Sequence, residues 1–161
     1  MSCIIYRITG TLAAVTSSEL HIIAVQCDCV CVHSDVVDRY YRSFNHYRAI
    51  EAVMSVLREA NAFVQTHEPW LLAKSSDSHS RMQLDCILHV GLESARVAAL
   101  ALCPVTPGLS RRIMERLGCV PTECSRQHMT QPVVDGRKLG ADCGPLFSRI
   151  KPSQISNSVS A

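Results

Sequence analysis

One long apolar segment, closed by two prolines, most constrains how this chain can fold. From about Arg81 to Cys103 the sequence is apolar on nearly every side of a helix, and Pro104 and Pro107 follow it directly. A helix that is apolar all round needs neighbours all round to remove that surface from water. We therefore expect this segment to be the central helix of a helical domain.

Amphipathic segments on both sides can supply those neighbours. Apolar residues recur every three or four positions from Ala49 to Val64, which is typical of a helix with one buried face. Gly118 suits the end of a helix that starts near Pro107. The expected cap or first-turn positions are Ser34 or Asp35, Asn45, Pro69 and Thr106. The first helix is expected to carry Val36, Val37, Tyr40, Tyr41 and Phe44 on one face.

The chain divides into three parts by composition. Residues 1–33 are rich in Ile, Val, Cys and Thr, and Ile22 to Val32 would pass for a strand. Residues 34–152 form the predicted helical bundle, with a polar loop from Lys74 to Arg81. Within this range, residues 119–152 are loop-like, with a short strand at Pro132 to Val134. Residues 153–161 form a polar tail that we expect to be disordered. The predicted fold is all-α, an antiparallel bundle of about five helices with an irregular N-terminal appendage.

Charge and hydropathy exclude several classes of protein. Sixteen Lys and Arg stand against fourteen Asp and Glu, so the net charge is only +2 and the strongly basic footprint of many nucleic-acid binders is absent. RNA binding would therefore have to rest on a local patch. No run of eighteen apolar residues occurs, so we expect no membrane partner. Neither a secretory signal nor an Arg-rich mitochondrial presequence is visible at the N-terminus.

Nine cysteines raise the question of a metal or disulfide framework. Their number is odd and no Cys-x-x-Cys pair occurs, so we predict reduced thiols in an intracellular protein, with Cys86 and Cys103 as small core residues. The densest group has the wrong spacing for a closed tetrahedral zinc site, and we assign no metal to it. That group comprises His21, Cys27, Cys29, Cys31 and His33.

Five segments, in order and at similar spacing, carry a resemblance to a known family. The most specific is Glu68-Pro69-Trp70-Leu71-Leu72-Ala73-Lys74, which holds the only tryptophan. The others are Phe44 to Met54, Arg58 to Val64, Gly91 to Val97 with Cys103 to Pro107, and Gly144 to Ile150. Together they resemble the C-terminal anticodon-binding helical domain of methionyl-tRNA synthetases of the bacterial or mitochondrial type. Such a bundle belongs to the class I aminoacyl-tRNA synthetase architecture.

The resemblance implies a function in translation without the chemistry of the enzyme. The family joins methionine to its tRNA with ATP, in a catalytic domain marked by His-x-Gly-His and Lys-Met-Ser-Lys-Ser. Neither signature occurs in this sequence. We therefore expect no catalytic residue, no ATP or other cofactor, and no ligase activity from the chain alone. The implied partners are the anticodon stem-loop of methionine tRNA and the catalytic domain of a synthetase. We expect a monomer in the mitochondrial matrix or the cytoplasm.

Four residues are candidates for RNA contact. The resemblance implies that Trp70 stacks on an anticodon base, whereas a core position between helices is the alternative. Lys74 and Arg58 could contact phosphates, although we favour solvated helix charges as the explanation for both. Asn61 could read a base, but we favour a role in capping or bridging helices.

Other features favour structural explanations or a different class of function. Glu93 and Arg96 lie three residues apart in the most apolar helix, and we expect them to form an ion pair or to bond neighbouring helix ends rather than to act in catalysis. The main alternative to the RNA-binding module is a helical scaffold or interaction domain that has lost RNA binding. An exposed apolar face would favour that alternative.

Overall fold

The computed structural model describes residues 35–120, 126–129, 138–141 and 144–147. Its helices are α1, described over 35–42, α2 (His46–His67), α3 (Pro69–Leu72), α4 (Ser78–Leu102) and α5 (Pro107–Arg116), followed by a 3₁₀ turn at Arg126–Met129. The regular structure of the described residues is therefore helical, which confirms the predicted fold class. The expectations for residues 1–33, for Ile22 to Val32, for Pro132 to Val134 and for the tail 153–161 lie outside the described residues.

The packing of α2 against α4 makes the bundle antiparallel. Phe63, near the end of α2, shares a core cluster with Ile87 and Val90 from the first half of α4. Ala49 and Val53, near the start of α2, pack in a second cluster with residues 97–101 of α4. The helix α5 adds Met114 to that second cluster. Because α2, α3 and α5 all contact α4, the prediction of a central helix is confirmed.

One face of α4 nevertheless remains open. Leu88 is 46% exposed and Leu92 is 41% exposed, four residues further along the same helix. Side chains four residues apart lie one above the other on a helix, so the two leucines share a face. The helix is therefore central but is not covered on every side, because its middle turns leave these two leucines exposed.

Local capping explains where α2 begins and ends. The side chain of Asn45 accepts a hydrogen bond from the backbone N–H of Arg48 at 3.4 Å, as the sequence predicted. At the other end Glu68 adopts a left-handed conformation with φ of 44°, and its N–H donates to the carbonyl of Val64 at 3.2 Å. Pro69 then opens α3, because proline suits a first helical turn but cannot continue the preceding helix.

The start of α4 differs from the sequence-based expectation. The helix begins at Ser78, three residues before Arg81, and therefore takes in part of the segment that we expected to be a loop. The cause is Asp77, whose carboxylate accepts a hydrogen bond from the N–H of Ser80 at 3.1 Å. An aspartate cap of this kind satisfies free N–H groups of the first turn and so outweighs the weak helix propensity of the serines.

Both ends of α5 follow capping rules, with one correction. Thr106 occupies the cap position, but its hydroxyl donates back to the carbonyl of Leu102 at 3.3 Å and does not cap α5. After α5, Gly118 has a φ of 70° and donates to the carbonyl of Glu115, while the N–H of Cys119 donates to Met114. This pair of hydrogen bonds is a Schellman motif, and it confirms the predicted role of Gly118.

Phe44 does not lie on the buried face of the first helix as expected. It occupies the turn between α1 and α2 with a φ of 57°, and 84% of it is exposed. The helix ends before it because the N–H of Asn45 turns back to the carbonyl of Tyr40 at 2.9 Å. Val37 and the partly buried Tyr40 and Tyr41 carry the contact of this part of the chain with the core.

Candidate nucleic-acid interface

Trp70 lies on α3, a single turn whose own core contacts hold it in place. Pro69 is buried, and Leu72 packs against the cluster of Phe63, Ile87 and Val90. Trp70 itself is 44% exposed. Trp70 is therefore not a core residue between helices, the alternative that the sequence left open, since nearly half of it is accessible to a partner.

Lys74 follows Trp70 at helical spacing. The N–H of Ala73 donates to the carbonyl of Pro69 at 2.9 Å, and the N–H of Lys74 donates to Leu71 at 3.1 Å. These bonds continue the turn beyond Leu72, so Lys74 lies about one helical turn after Trp70. Its side chain is exposed and makes no ion pair with any residue that the structure describes. An accessible ring and an accessible cation thus lie one turn apart.

Arg58 and Asn61 form a second pair on the solvent face of α2. Both are exposed, and their spacing of three residues places them on one face of the helix. Asn61 lies in the interior of α2, so the expectation that it caps a helix is wrong. In the described part of the chain its side chain makes no hydrogen bond, and it does not bridge two helices. It is free to meet a ligand.

The structure keeps the two pairs on adjoining elements without joining them. Asn61 precedes the end of α2 by six residues and Arg58 by nine, which corresponds to about 9 Å and 14 Å along the helix. Within 35–120 no hydrogen bond or ion pair connects either residue with Trp70 or Lys74. The candidate site is therefore centred on Trp70 and Lys74, and Arg58 and Asn61 form a separate exposed pair on the preceding helix.

Two neighbours of Trp70 were missed by reasoning from the sequence. Leu71 is 50% exposed and extends the accessible apolar surface next to the tryptophan. The ring of His67 lies 4.3 Å from that of Phe63, and its Nδ1 is 2.8 Å from the carbonyl oxygen of Phe63. This contact fixes the end of α2 just before α3. In the sequence, the spacing of four residues between Phe63 and His67 was the signal for this contact.

Glu93 and Arg96 form the expected ion pair. The Nε of Arg96 donates to Oε2 of Glu93 at 2.8 Å, and a second nitrogen meets the other carboxylate oxygen. The remaining terminal nitrogen donates to the carbonyl of His128 at 2.7 Å. The bonds of this pair join parts of the protein to one another. The pair therefore holds the 3₁₀ turn on α4 and presents no free acid or base.

The described residues present no metal site and no membrane-spanning helix. Among them, no three His, Cys, Asp or Glu side chains come together in a way that could hold a metal ion. The cysteine and histidine group between His21 and His33 lies outside these residues. None of the helices in the described ranges has the length and apolarity needed to cross a membrane. Cys86 and Cys103 are both partly buried.

Comparison with known proteins identifies the family. No protein-family model matches the chain. It is 40% identical over 127 residues to the mitochondrial methionine--tRNA ligase of Mus musculus, an alignment that covers 74% of this chain and 22% of that protein. The corresponding enzyme of Takifugu rubripes is 37% identical over 124 residues, with 72% of this chain and 21% of the relative covered. The chain belongs to the methionyl-tRNA synthetase family, of whose members it matches one part.

Solved structures agree on the fold. The free-state methionyl-tRNA synthetase of Mycobacterium tuberculosis superposes with a TM-score of 0.75 at 24% identity, covering 87% of this chain and 27% of that chain. The same enzyme with methionyl-adenylate gives a TM-score of 0.74 and covers 85% of this chain and 26% of the other. The chain spans about a fifth of the length of the curated methionyl-tRNA synthetases that it matches.

Proposed function

We propose that this chain binds the anticodon stem-loop of a methionine tRNA. The observation that carries the proposal is the half-exposed Trp70, which follows the buried Pro69 on α3, with Lys74 one turn away. An aromatic ring that is accessible yet rigidly mounted can stack on an unpaired base at little cost in conformational entropy. The relationship to methionyl-tRNA synthetases supports the choice of RNA.

The energetics favour base stacking as the main source of binding. One base on an aromatic ring contributes about 1–3 kcal/mol. Lys74 would add a contact to a nearby phosphate, which positions the RNA but carries no sequence information. Arg58 and Asn61 would extend this contact along α2. Since the net charge is only +2, we expect weak binding whose selectivity depends on Trp70.

The same proposal assigns no chemistry to the chain itself. We expect the purified chain to attach no methionine to tRNA, because the ATP-binding and methionine-binding functions of the family would lie in a catalytic domain. The mitochondrial relatives support a location in the mitochondrial matrix, with the cytoplasm as the alternative. We expect the chain to be monomeric. Methionine attachment by the purified chain would contradict this part of the proposal.

The test is binding of the purified chain to two stem-loops that differ only in the anticodon. Wild type should prefer the methionine anticodon, and Trp70→Ala should remove that preference. Trp70→Phe should keep part of it, because a smaller ring still stacks. Tyr47→Ala is the matched control, since Tyr47 is another exposed aromatic, 73% accessible, at the start of α2. Equal binding of both RNAs by wild type would overturn the proposal.

A second candidate function rests on the open face of α4. Leu88 and Leu92 expose an apolar surface of the kind that protein partners cover. In this alternative the chain is a helical interaction domain without RNA binding, and the catalytic domain of a synthetase packs on the two leucines. This alternative would be favoured if the chain bound no RNA but did bind a synthetase catalytic domain. Leu88→Ser and Leu92→Ser should then abolish that association.

A further inference from the structure

The helix α5 concentrates positive charge that the candidate site around Trp70 does not use. Its ten residues include Arg111, Arg112 and Arg116 against the single acidic residue Glu115. The net charge of this short helix therefore equals the +2 of the whole chain. A local basic patch of this kind is what RNA binding would require in a protein of such modest overall charge.

Burial of one side of α5 turns two arginines outward. Ser110 and Met114 are buried, and Met114 belongs to the cluster that α5 forms with α4. Arg111 and Arg112 are exposed. We call this surface the α5 arginine face, consisting of Arg111 and Arg112. It presents two guanidinium groups from consecutive residues.

The local contacts leave most of the donors on this face available. Arg112 donates from its Nε to the carbonyl of Gly108 at 3.3 Å, and a guanidinium carries five N–H donors. The space beside Gly108 is open, because a Cβ added there would have no other atom within 4 Å. A ligand can therefore approach Arg112 from that side. Arg111 pairs with Glu115 at 3.0 Å, but both side chains are more than half exposed. Such a pair is weak, and a phosphate can displace its carboxylate.

A further cation, from outside the helix, belongs to a segment that contacts the end of α5. The N–H of Gly140 donates to the carbonyl of Arg116 at 2.8 Å, which holds the described residues 138–141 against the helix. Lys138, two residues before Gly140, is exposed. The segment thus places a lysine two residues from this contact, which adds to the positive charge around the end of α5.

We propose that the α5 arginine face binds phosphates of the RNA stem, at a distance from the anticodon. The inference rests on the proposed function for the identity of its partner. Helix α3 packs on α4 near Val90, and α5 packs near Ala101, eleven residues further on. This interval is about 17 Å along the helix axis. A duplex carries phosphates along its whole length, so a stem-loop bound at α3 has further phosphates over an axial interval of this size. Arginine is also the side chain best suited to forked contacts with phosphate.

The test compares two double variants that remove the same charge. Arg111→Ala with Arg112→Ala removes the proposed contacts, and Arg42→Ala with Arg48→Ala removes two exposed arginines of α1 and α2. Affinity for both anticodon stem-loops is measured over a series of salt concentrations. We expect the first variant to bind both RNAs about tenfold more weakly and to lower the salt slope by about 2, because two phosphates are no longer neutralised. The control should keep the wild-type slope.

A third variant tests the proposal in the opposite direction. Glu115→Gln removes the carboxylate that competes for Arg111, so it should tighten binding of both RNAs about twofold to threefold. Circular dichroism of every variant confirms that the helices are intact.

The outcomes separate this inference from the proposed function. Weaker binding by the first double variant, without any anticodon preference in wild type, would support the arginine face and contradict the Trp70 site. Anticodon preference in wild type, with equal effects of the two double variants, would overturn the arginine face alone. Failure of the wild-type chain to bind either RNA would overturn both.

Discussion

Arg96 and Glu93 form a two-point ion pair inside the bundle, with only 4% and 11% of their side chains exposed. Arg96 also donates to the carbonyl of His128, 32 residues later in the chain. One guanidinium therefore links α4 to the 3₁₀ turn at Arg126–Met129. Because both charges are removed from water, each depends on the other for compensation.

We expect Glu93→Ala to lower the free energy of unfolding by about 3–5 kcal/mol, since it leaves the charge of Arg96 buried without its carboxylate. Urea denaturation measures the change. The matched control is Glu115→Ala, which breaks the exposed pair with Arg111 and should cost only about 0.2–1 kcal/mol. Similar losses for the two variants would contradict the role assigned to Glu93.

Tyr41 joins α1 to the end of α4, and this contact should depend on pH. Its hydroxyl donates to the carbonyl of Ala101 at 3.0 Å, so Tyr41→Phe should lower the free energy of unfolding by about 0.5–1.5 kcal/mol. Burial raises the pKa of Tyr41 above its usual 10.0. The neutral phenol is therefore favoured in the folded state. Its contribution is complete below pH 10 and is lost as the pH rises through the raised pKa.

Urea midpoints of wild type and Tyr41→Phe, measured at about pH 8 and about pH 11, test this dependence. The difference between the two proteins should shrink at the higher pH, because wild type loses a contribution that the phenylalanine variant never had. A difference that stays constant would show that Tyr41 does not titrate with the unfolding equilibrium. Tyr47→Phe, at an exposed position, should match wild type at the lower pH.

Two buried serines offer a matched pair for the cost of an unsatisfied hydroxyl. The Oγ of Ser110 has no hydrogen-bond partner among the described residues, while the Oγ of Ser94 donates to the carbonyl of Val90 at 2.8 Å. Ser110→Ala should raise the free energy of unfolding by about 1–2 kcal/mol, because it removes an unpaired polar group and improves helix propensity. Ser94→Ala should give no such gain. Thermal unfolding compares the two, and a loss of stability in Ser110→Ala would contradict the assignment.

Gly140 is expected to tolerate no side chain. A Cβ at this position would overlap the backbone oxygen of Glu115, and backbone atoms cannot move aside as a flexible side chain can. Gly140→Ala should therefore cost about 1–3 kcal/mol and release the segment around Lys138 from α5. Hydrogen exchange at the amide of Gly140, which bonds to Arg116, reports the release. Gly108→Ala, in open space, should leave stability unchanged or higher.

Features governed by neighbouring residues could be predicted from the sequence. The cap at Asn45 follows from its side-chain acceptor, and the break at Pro69 and the left-handed glycine at Gly118 follow from the backbone preferences of one residue each. The ion pair of Glu93 and Arg96 follows from their spacing on one helix. The resemblance of five segments to the methionyl-tRNA synthetases also predicted the fold, which the comparison of structures confirms.

Features that depend on the rest of the bundle could not be predicted. The apolar pattern of α4 shows that Leu88 and Leu92 could be buried, but not which side of the helix lacks a neighbour. Phe44 fitted the helical pattern, yet the turn between α1 and α2 places it outside. For Trp70 the sequence left both burial and exposure open, because the outcome depends on how the single turn of α3 packs on α4.

The chain contains one tryptophan, so its fluorescence reports directly on Trp70. Titration of the purified chain with the methionine anticodon stem-loop tests the central claim most directly. If a base stacks on the ring, the emission should be strongly quenched with a saturable curve, and an RNA with a changed anticodon should quench it less. Saturable RNA binding, detected independently, with no change in Trp70 emission would contradict the account.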